Sequence, residues 1–278
     1  LSPYLTILRK PGAWTFSAAG TLARLPMSMV TLSIVLLVSA VYGEYALAGR
    51  IAAVYVVAQA IAAPQLAVLV DRFGQSRIMR PALAIAAVGL VSLTLLATQH
   101  AAEPWLWLSA SVAGATVGSV GALVRARWSL VTTTSRELHT AYSLESALDE
   151  LVFVVGPMLA AFLATQISPT VGLASAVLFS VGGGFWFLSQ RRTEPPASGR
   201  PPVGERRSAI ASAGMVAVAL VFVAVGIIFG ATDVSTVAFT AELGVGGWAG
   251  AILAVFASGS LISGLLTADL LGTVEARE

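Results

Sequence analysis

A chain of 278 residues in which 57% of side chains are hydrophobic and only 11% charged falls far below the roughly 25% charge that coats an ordinary water-soluble domain. That shortage excludes a soluble globule and indicates an integral membrane protein, whose charges gather at the ends of its spans and in cavities. A net charge of +2 does not favour nucleic acid, because the basic residues separate apolar runs and form no basic stripe or aromatic-interleaved patch, and the absence of Cys and Asn excludes disulfides, thiolate metal sites and N-glycans.

A hydrocarbon core about 30 Å thick takes roughly 20 helical residues. Apolar stretches of that order are predicted at 14–42, 46–70, 80–98, 105–127, 145–166, 170–189, 209–232 and 247–268. The fold class is therefore an all-α polytopic membrane protein with about eight transmembrane helices. The first stretch is too long, and followed by too many others, to be a cleavable signal peptide. It also carries Arg24. The fifth is free of charge only from Leu151 to Gln166, so Asp149 and Glu150 are expected at or below its membrane boundary.

Alternate connections carry Arg9 and Lys10; Arg72, Arg77 and Arg80; Arg125, Arg127 and Arg136; and Arg191, Arg192, Arg200, Arg206 and Arg207, whereas the opposite loops hold only Arg50. Basic residues stay on the cytoplasmic side, which places the N terminus inside a cell inner (plasma) membrane crossed many times. Trp14, Trp128 and Trp186 fall at inner ends and Trp105, Trp107 and Trp248 near outer ends, where amphipathic rings sit at headgroup level. The stretch from Gln190 to Ser208, rich in Pro, Gly and Arg, reads as a flexible linker. It divides a six-helix bundle over 1–189 from the first two helices of a second, incomplete bundle over 209–278. A shift of 198 residues lays the first two spans on the last two, bringing Glu44 onto Glu242, Gly49 onto Gly247, Asp71 onto Asp269 and Gly74 onto Gly272, as in parallel bundle repeats.

The inner connection between the second and third spans reads Ala67-Val-Leu-Val-Asp71-Arg72-Phe-Gly74-Gln-Ser-Arg77. It resembles the Gly-x-x-x-Asp-Arg-x-Gly-x-x-Arg/Lys signature of the major facilitator superfamily, with Ala67 in place of the usual Gly and with Gln75 and Ser76 where basic residues are common. Gly74 suits a tight turn, and a carboxylate at a helix end can pair with an Arg and with another helix's positive end. The resemblance implies a facilitator-type helix bundle in which Asp71, Arg72, Gly74 and Arg77 form a conformational switch that latches two bundles in one state. The alternative is a basic loop that only obeys the orientation rule.

Gly156-Pro157-Met-Leu-Ala160-Ala161 is similar to the Gly-Pro-x-x-Gly-Gly element of the superfamily's drug/proton antiporters, with two glycines replaced by alanine. By spacing, Gly156, Ala160 and Ala164 form a small-residue stripe for close helix packing, and Glu145 and Asp149 lie on that face. Arg24-Leu-Pro-Met and Leu144-Glu-Ser-Ala-Leu-Asp-Glu-Leu151 further resemble features of bacterial, especially actinobacterial, exporters of the superfamily. An unpaired charge at a helix centre costs at least about 2.5–3.5 kcal/mol, so Arg24 is expected to pair with Asp149, the alternative being that it snorkels to the inner surface. Arg125 lies beside Gly114, Gly118 and Gly121 and loosely resembles the superfamily's fourth-helix Arg, which implies that it joins Asp71, Arg72, Gly74 and Arg77 in the conformational switch. Arg125 and Arg127 also fit as orientation charges, and Asp233 either lines the cavity or marks an outer boundary.

Function follows as an expectation from the resemblance: a secondary transporter exporting small molecules by alternating access. Arg24, Asp149, Glu150 and Asp233 are the candidate cavity and proton-handling groups. Expected partners are a small-molecule substrate, protons and the lipid bilayer, with no nucleic acid, no cofactor, no metal and no enzymatic activity. The competing expectations are a truncated, inactive facilitator and a non-transporting assembly or sensing protein.

Overall fold

The computed structural model describes residues 2–199, 213–256 and 258–259. Among them the regular elements are helical: α1 (Ser2–Leu8), α2 (Ala13–Tyr42), α3 (Tyr45–Phe73), α4 (Gln75–Thr98), α5 (Glu103–Val117), α6 (Val120–Val131), α7 (Ser135–Gln166), α8 (Pro169–Ser189), a short 3-10 turn at Arg191–Thr193, and α9 (Ala213–Glu242). With α5 and α6 counted as a single span, seven helices among the described residues are long and apolar enough to cross a bilayer, and a shorter apolar helix runs over Gly246–Phe256. The chain is an all-α polytopic bundle.

Local chemistry sets the helix ends. Gly43 takes φ 73° and its N–H closes α2 onto Ser39 O, a left-handed cap that glycine adopts without Cβ strain. The Thr134 side chain accepts from the Glu137 N–H while the Glu137 carboxylate accepts from the Thr133 N–H, so both partners satisfy free donors at the start of α7.

Helix α2 runs through the middle of the bundle, packed on α8, α7 and α3. Its Met29–Val38 half joins an apolar cluster that includes Leu47, Ile51, Leu93, Leu106, Ala160 and Leu173. Its Ala13–Ala19 end joins a second cluster with Met79, Leu83, Val124 and Phe187. Arg24 falls between the two. Outward faces stay apolar, as at Val57 and Ile61 of α3, Val88 and Leu95 of α4, and Leu178 of α8, which suits lipid and would be unfavourable in water.

Two sequence expectations meet a different outcome, and a third lies partly outside the described residues. The fourth predicted span is interrupted, because Gly118 (φ 66°) and Ser119 leave the helix between α5 and α6; Gly118 therefore serves a backbone break, not only packing. Trp128 faces the interior of the bundle and not the surrounding headgroup layer. It is fully buried, edge-on to Phe16, because its indole N–H has a carboxylate partner inside the bundle. The predicted 247–268 span is described only through 256 and at 258–259, so the rest of it lies outside the described residues, as do Asp269 and Gly272 of the internal repeat. Within that repeat, α2 and α9 are each 30 residues long.

A charged cluster at a broken helix

The polar centre of the bundle is built from α2, α6 and α7. Ser17, Thr21 and Arg24 recur at helical spacing on one face of α2, and Glu145 and Asp149 do so on α7. Arg24 is 1% exposed and Glu145 fully buried. The Arg24 guanidinium donates from Nη1 to Asp149 Oδ1 at 2.7 Å, from Nη2 to Glu145 Oε2 and to Thr21 Oγ1, and from Nε to Gly20 O at 3.1 Å. Ser17 Oγ and Trp128 Nε1 each donate to Glu145 Oε1 at 2.7 Å. Arg125 of α6 donates from Nη2 to Asp149 Oδ2 at 2.8 Å. Two guanidiniums therefore face two carboxylates. Buried charge is tolerable when it is both paired and hydrogen-bonded in this way.

The two carboxylates are held differently. Glu145 has three donors from two other helices, α2 and α6, and no exposure. Asp149 is part-exposed and bridges Arg24 and Arg125, whose only ion-pair partner among the described residues is Asp149. Arg24, Arg125 and Asp149 line a cavity of about 330 Å³ together with Tyr55, Gln59 and Gly118. The break between α5 and α6 borders it, which fits the rule that irregular backbone at membrane depth is tolerated where it lines a cavity. A Cβ on Gly121 would lie 3.1 Å from Arg125 Nη1 and 3.7 Å from Arg24 Cδ, so a glycine there leaves room for both side chains.

Close packing of α7 fixes this geometry. A Cβ on Gly156 would fall 1.9 Å from Ser28 Oγ of α2, and that hydroxyl donates to Val152 O at 2.8 Å. The Ala160 carbonyl closes on Gly172 of α8, while Pro157 and Ala161 meet Gly250. Three neighbours thus use the Gly156–Ala161 segment.

Other sequence-selected residues lie elsewhere. Glu150 is half-buried on α7 and Asp233 half-buried on α9, and neither lines the cavity that holds Arg24 and Asp149. Arg125 belongs with that cavity and not with the loop after α3. Around the α3–α4 joint, Asp71 and Arg72 at the end of α3 and Arg77 at the start of α4 are exposed, Arg72 lies over the Phe73 ring at 4.8 Å, and Gly74 makes the one-residue connection at φ 96°.

Two buried residues outside the sequence-selected set complete the arrangement. Glu145 was placed on the inward face by spacing, but only its partners mark it as the anchor of the cluster. Arg127 is fully buried: Nε donates to Gln75 Oε1 at 2.9 Å, Nη1 reaches Phe187 O, Gln190 O and Thr193 Oγ1, and the guanidinium lies 3.8 Å over the Phe187 ring. It ties the start of α4 to the end of α8. A polar Gln75 at a position where the resembling motif is basic was the available signal, since a second cation there would have no acceptor.

No curated protein matches the chain. The family model of the Major Facilitator Superfamily matches residues 16–277, and with the polytopic bundle and the membrane-spanning helices in place, the chain belongs to that superfamily of membrane transporters.

Proposed function

We propose that this facilitator is a proton-coupled exporter of small molecules, with Arg24, Arg125 and Asp149 as its working charges. The observation that carries the reading is the bridge of the Asp149 carboxylate between Arg24 and Arg125 at 2.7 and 2.8 Å, on the wall of a cavity bordered by a helix break. Protonation of Asp149 weakens both ion pairs at once. Arg24 then keeps Glu145, but Arg125 loses its partner and reorients in the cavity beside Tyr55 and Gln59. A single proton so changes the contacts between α6 and the α2–α7 pair, which is the differential interaction a two-state carrier needs. Asp71, Arg72, Gly74 and Arg77 act as the switch that biases the two bundles, 1–189 and 209–278, about the linker 190–208. Glu150 and Asp233 are secondary proton-handling groups in this reading. The membrane is the cell inner membrane and the N terminus is cytoplasmic.

The test is flux in proteoliposomes carrying an internal pH dye, with amphipathic dyes such as ethidium as cargo. Wild-type protein is expected to move cargo with a matching pH change. Asp149→Asn is expected to lose the pH-driven part while the protein stays folded, because Arg24 retains Glu145. Unchanged pH-driven flux in Asp149→Asn refutes the proton assignment. Failure of the wild-type chain to move any of the dyes refutes the export reading.

A further inference from the structure

Away from the transport cavity, a second cavity of about 480 Å³ opens between the start of α4 and the segment after α8, lined by Ser76, Arg77, Arg80, Pro81, Arg191 and Glu194. Three guanidiniums face one carboxylate there, and that carboxylate is already engaged. Glu194 accepts from the Ser76 N–H at 2.7 Å and from the Ser76 hydroxyl, so it serves the free donors at the start of α4. The three arginines have no such partner. None of them is in an ion pair among the described residues. Arg80 donates from Nη2 to Leu188 O at 2.8 Å, while its Nε is buried without a hydrogen-bond partner.

Depth in the bilayer identifies the ligand chemistry. The Arg80–Leu188 bond holds the cavity level with the last turn of α8, which carries the exposed Trp186, and exposed Trp14 opens α2 at the same end of the bundle. Exposed indoles of this kind mark the headgroup layer. A pocket with three arginines and one committed carboxylate, open at that level, is suited to a phosphodiester whose acyl chains remain in the bilayer. Guanidiniums match phosphate oxygens with paired N–H donors, and basic pockets between transmembrane helices bind anionic headgroups.

We propose that Arg77, Arg80 and Arg191 form a binding site for the phosphate of an anionic phospholipid. The site is independent of the transport cavity, and it joins α4, which carries Arg77 of the switch motif, to the segment leading into the linker. A bound headgroup would hold those two segments together.

Native mass spectrometry of the full chain, titrated with phosphatidylglycerol and with phosphatidylcholine of the same acyl chains, tests it. Phosphatidylglycerol is expected to bind more tightly. Arg77→Gln with Arg191→Gln, which spares the Arg80–Leu188 bond, is expected to lower phosphatidylglycerol affinity roughly 25-fold, about fivefold for each cation lost near an anionic surface. Phosphatidylcholine binding should change little. Adding Arg80→Gln is expected to abolish the preference. Arg9→Gln with Arg192→Gln removes two cations from outside the cavity lining and is expected to leave the preference standing. Equal binding of the two lipids, an unchanged affinity in the Arg77/Arg191 variant, or an equal loss in the Arg9/Arg192 variant overturns the proposal. Displacement of phosphatidylglycerol by millimolar inorganic phosphate would assign the site to a free phosphate group and overturn the lipid assignment.

Discussion

Replacing Arg24 by Ala removes the cation that faces the fully buried Glu145. Two of the five hydrogen bonds that this pair of carboxylates accepts are lost, with unequal consequences. Asp149 keeps Arg125 and has some exposure, but Glu145 keeps only the neutral donors Ser17 and Trp128. Leaving one member of a buried ion pair uncompensated costs about 3–5 kcal/mol. At roughly 2–4 °C per kcal/mol for a chain of this size, the thermal midpoint in detergent should fall by about 10 °C. Adding Glu145→Gln to Arg24→Ala removes the stranded charge, and the amide oxygen can still accept from Ser17 and Trp128. The double variant should therefore recover about half of the loss. This sign is diagnostic, since two independent truncations in a core would add. An Arg24→Ala protein that melts within about 2 °C of wild type, or a double variant less stable than the single one, refutes the view that Glu145 depends on Arg24 as its ion-pair partner.

Packing between α2 and α7 gives a second expectation. Gly156→Ala sets a methyl 1.9 Å from Ser28 Oγ, and relieving that overlap costs about 1–3 kcal/mol; Ser28→Ala in the same chain should return part of it in the same melting assay, whereas an equally low midpoint would show that the close approach is not the cause. At the α3–α4 joint, Gly74 holds φ 96°, so Gly74→Ala should cost about 1–3 kcal/mol and slow flux in proteoliposomes more than it lowers the midpoint.

The Arg24–Asp149 pair was legible because a cation within an apolar helix and a carboxylate on the inward face of another have few stable arrangements apart from each other. The same reasoning placed Glu145 inward through its spacing from Asp149 and Gly156. It did not reveal that Glu145 is the more deeply held of the two, because Ser17 and Trp128 come from other helices and no local pattern joins them. Trp128 illustrates the limit. At a span end an indole is ordinarily a headgroup anchor, and only the presence of Glu145 across the bundle draws it inward. The break at Gly118 was hidden for a related reason: glycines at helical spacing serve packing and breaks alike, and the close approach of Met79, which a Cβ at Gly118 would overlap, exists only once α4 is packed beside it. Arg125 was likewise open between two roles until α6 and α7 were brought together.

Composition and span length by themselves determined that this chain lives in a bilayer, how many times its described part is able to cross, and where its charges concentrate. Those properties follow from the cost of exposing polar groups to hydrocarbon, which acts on each segment separately. Which charges meet, which tryptophan is buried and which arginines are left facing an open pocket were decided only by the tertiary structure, since pairing energies depend on distances between helices that the order of residues along one helix does not contain.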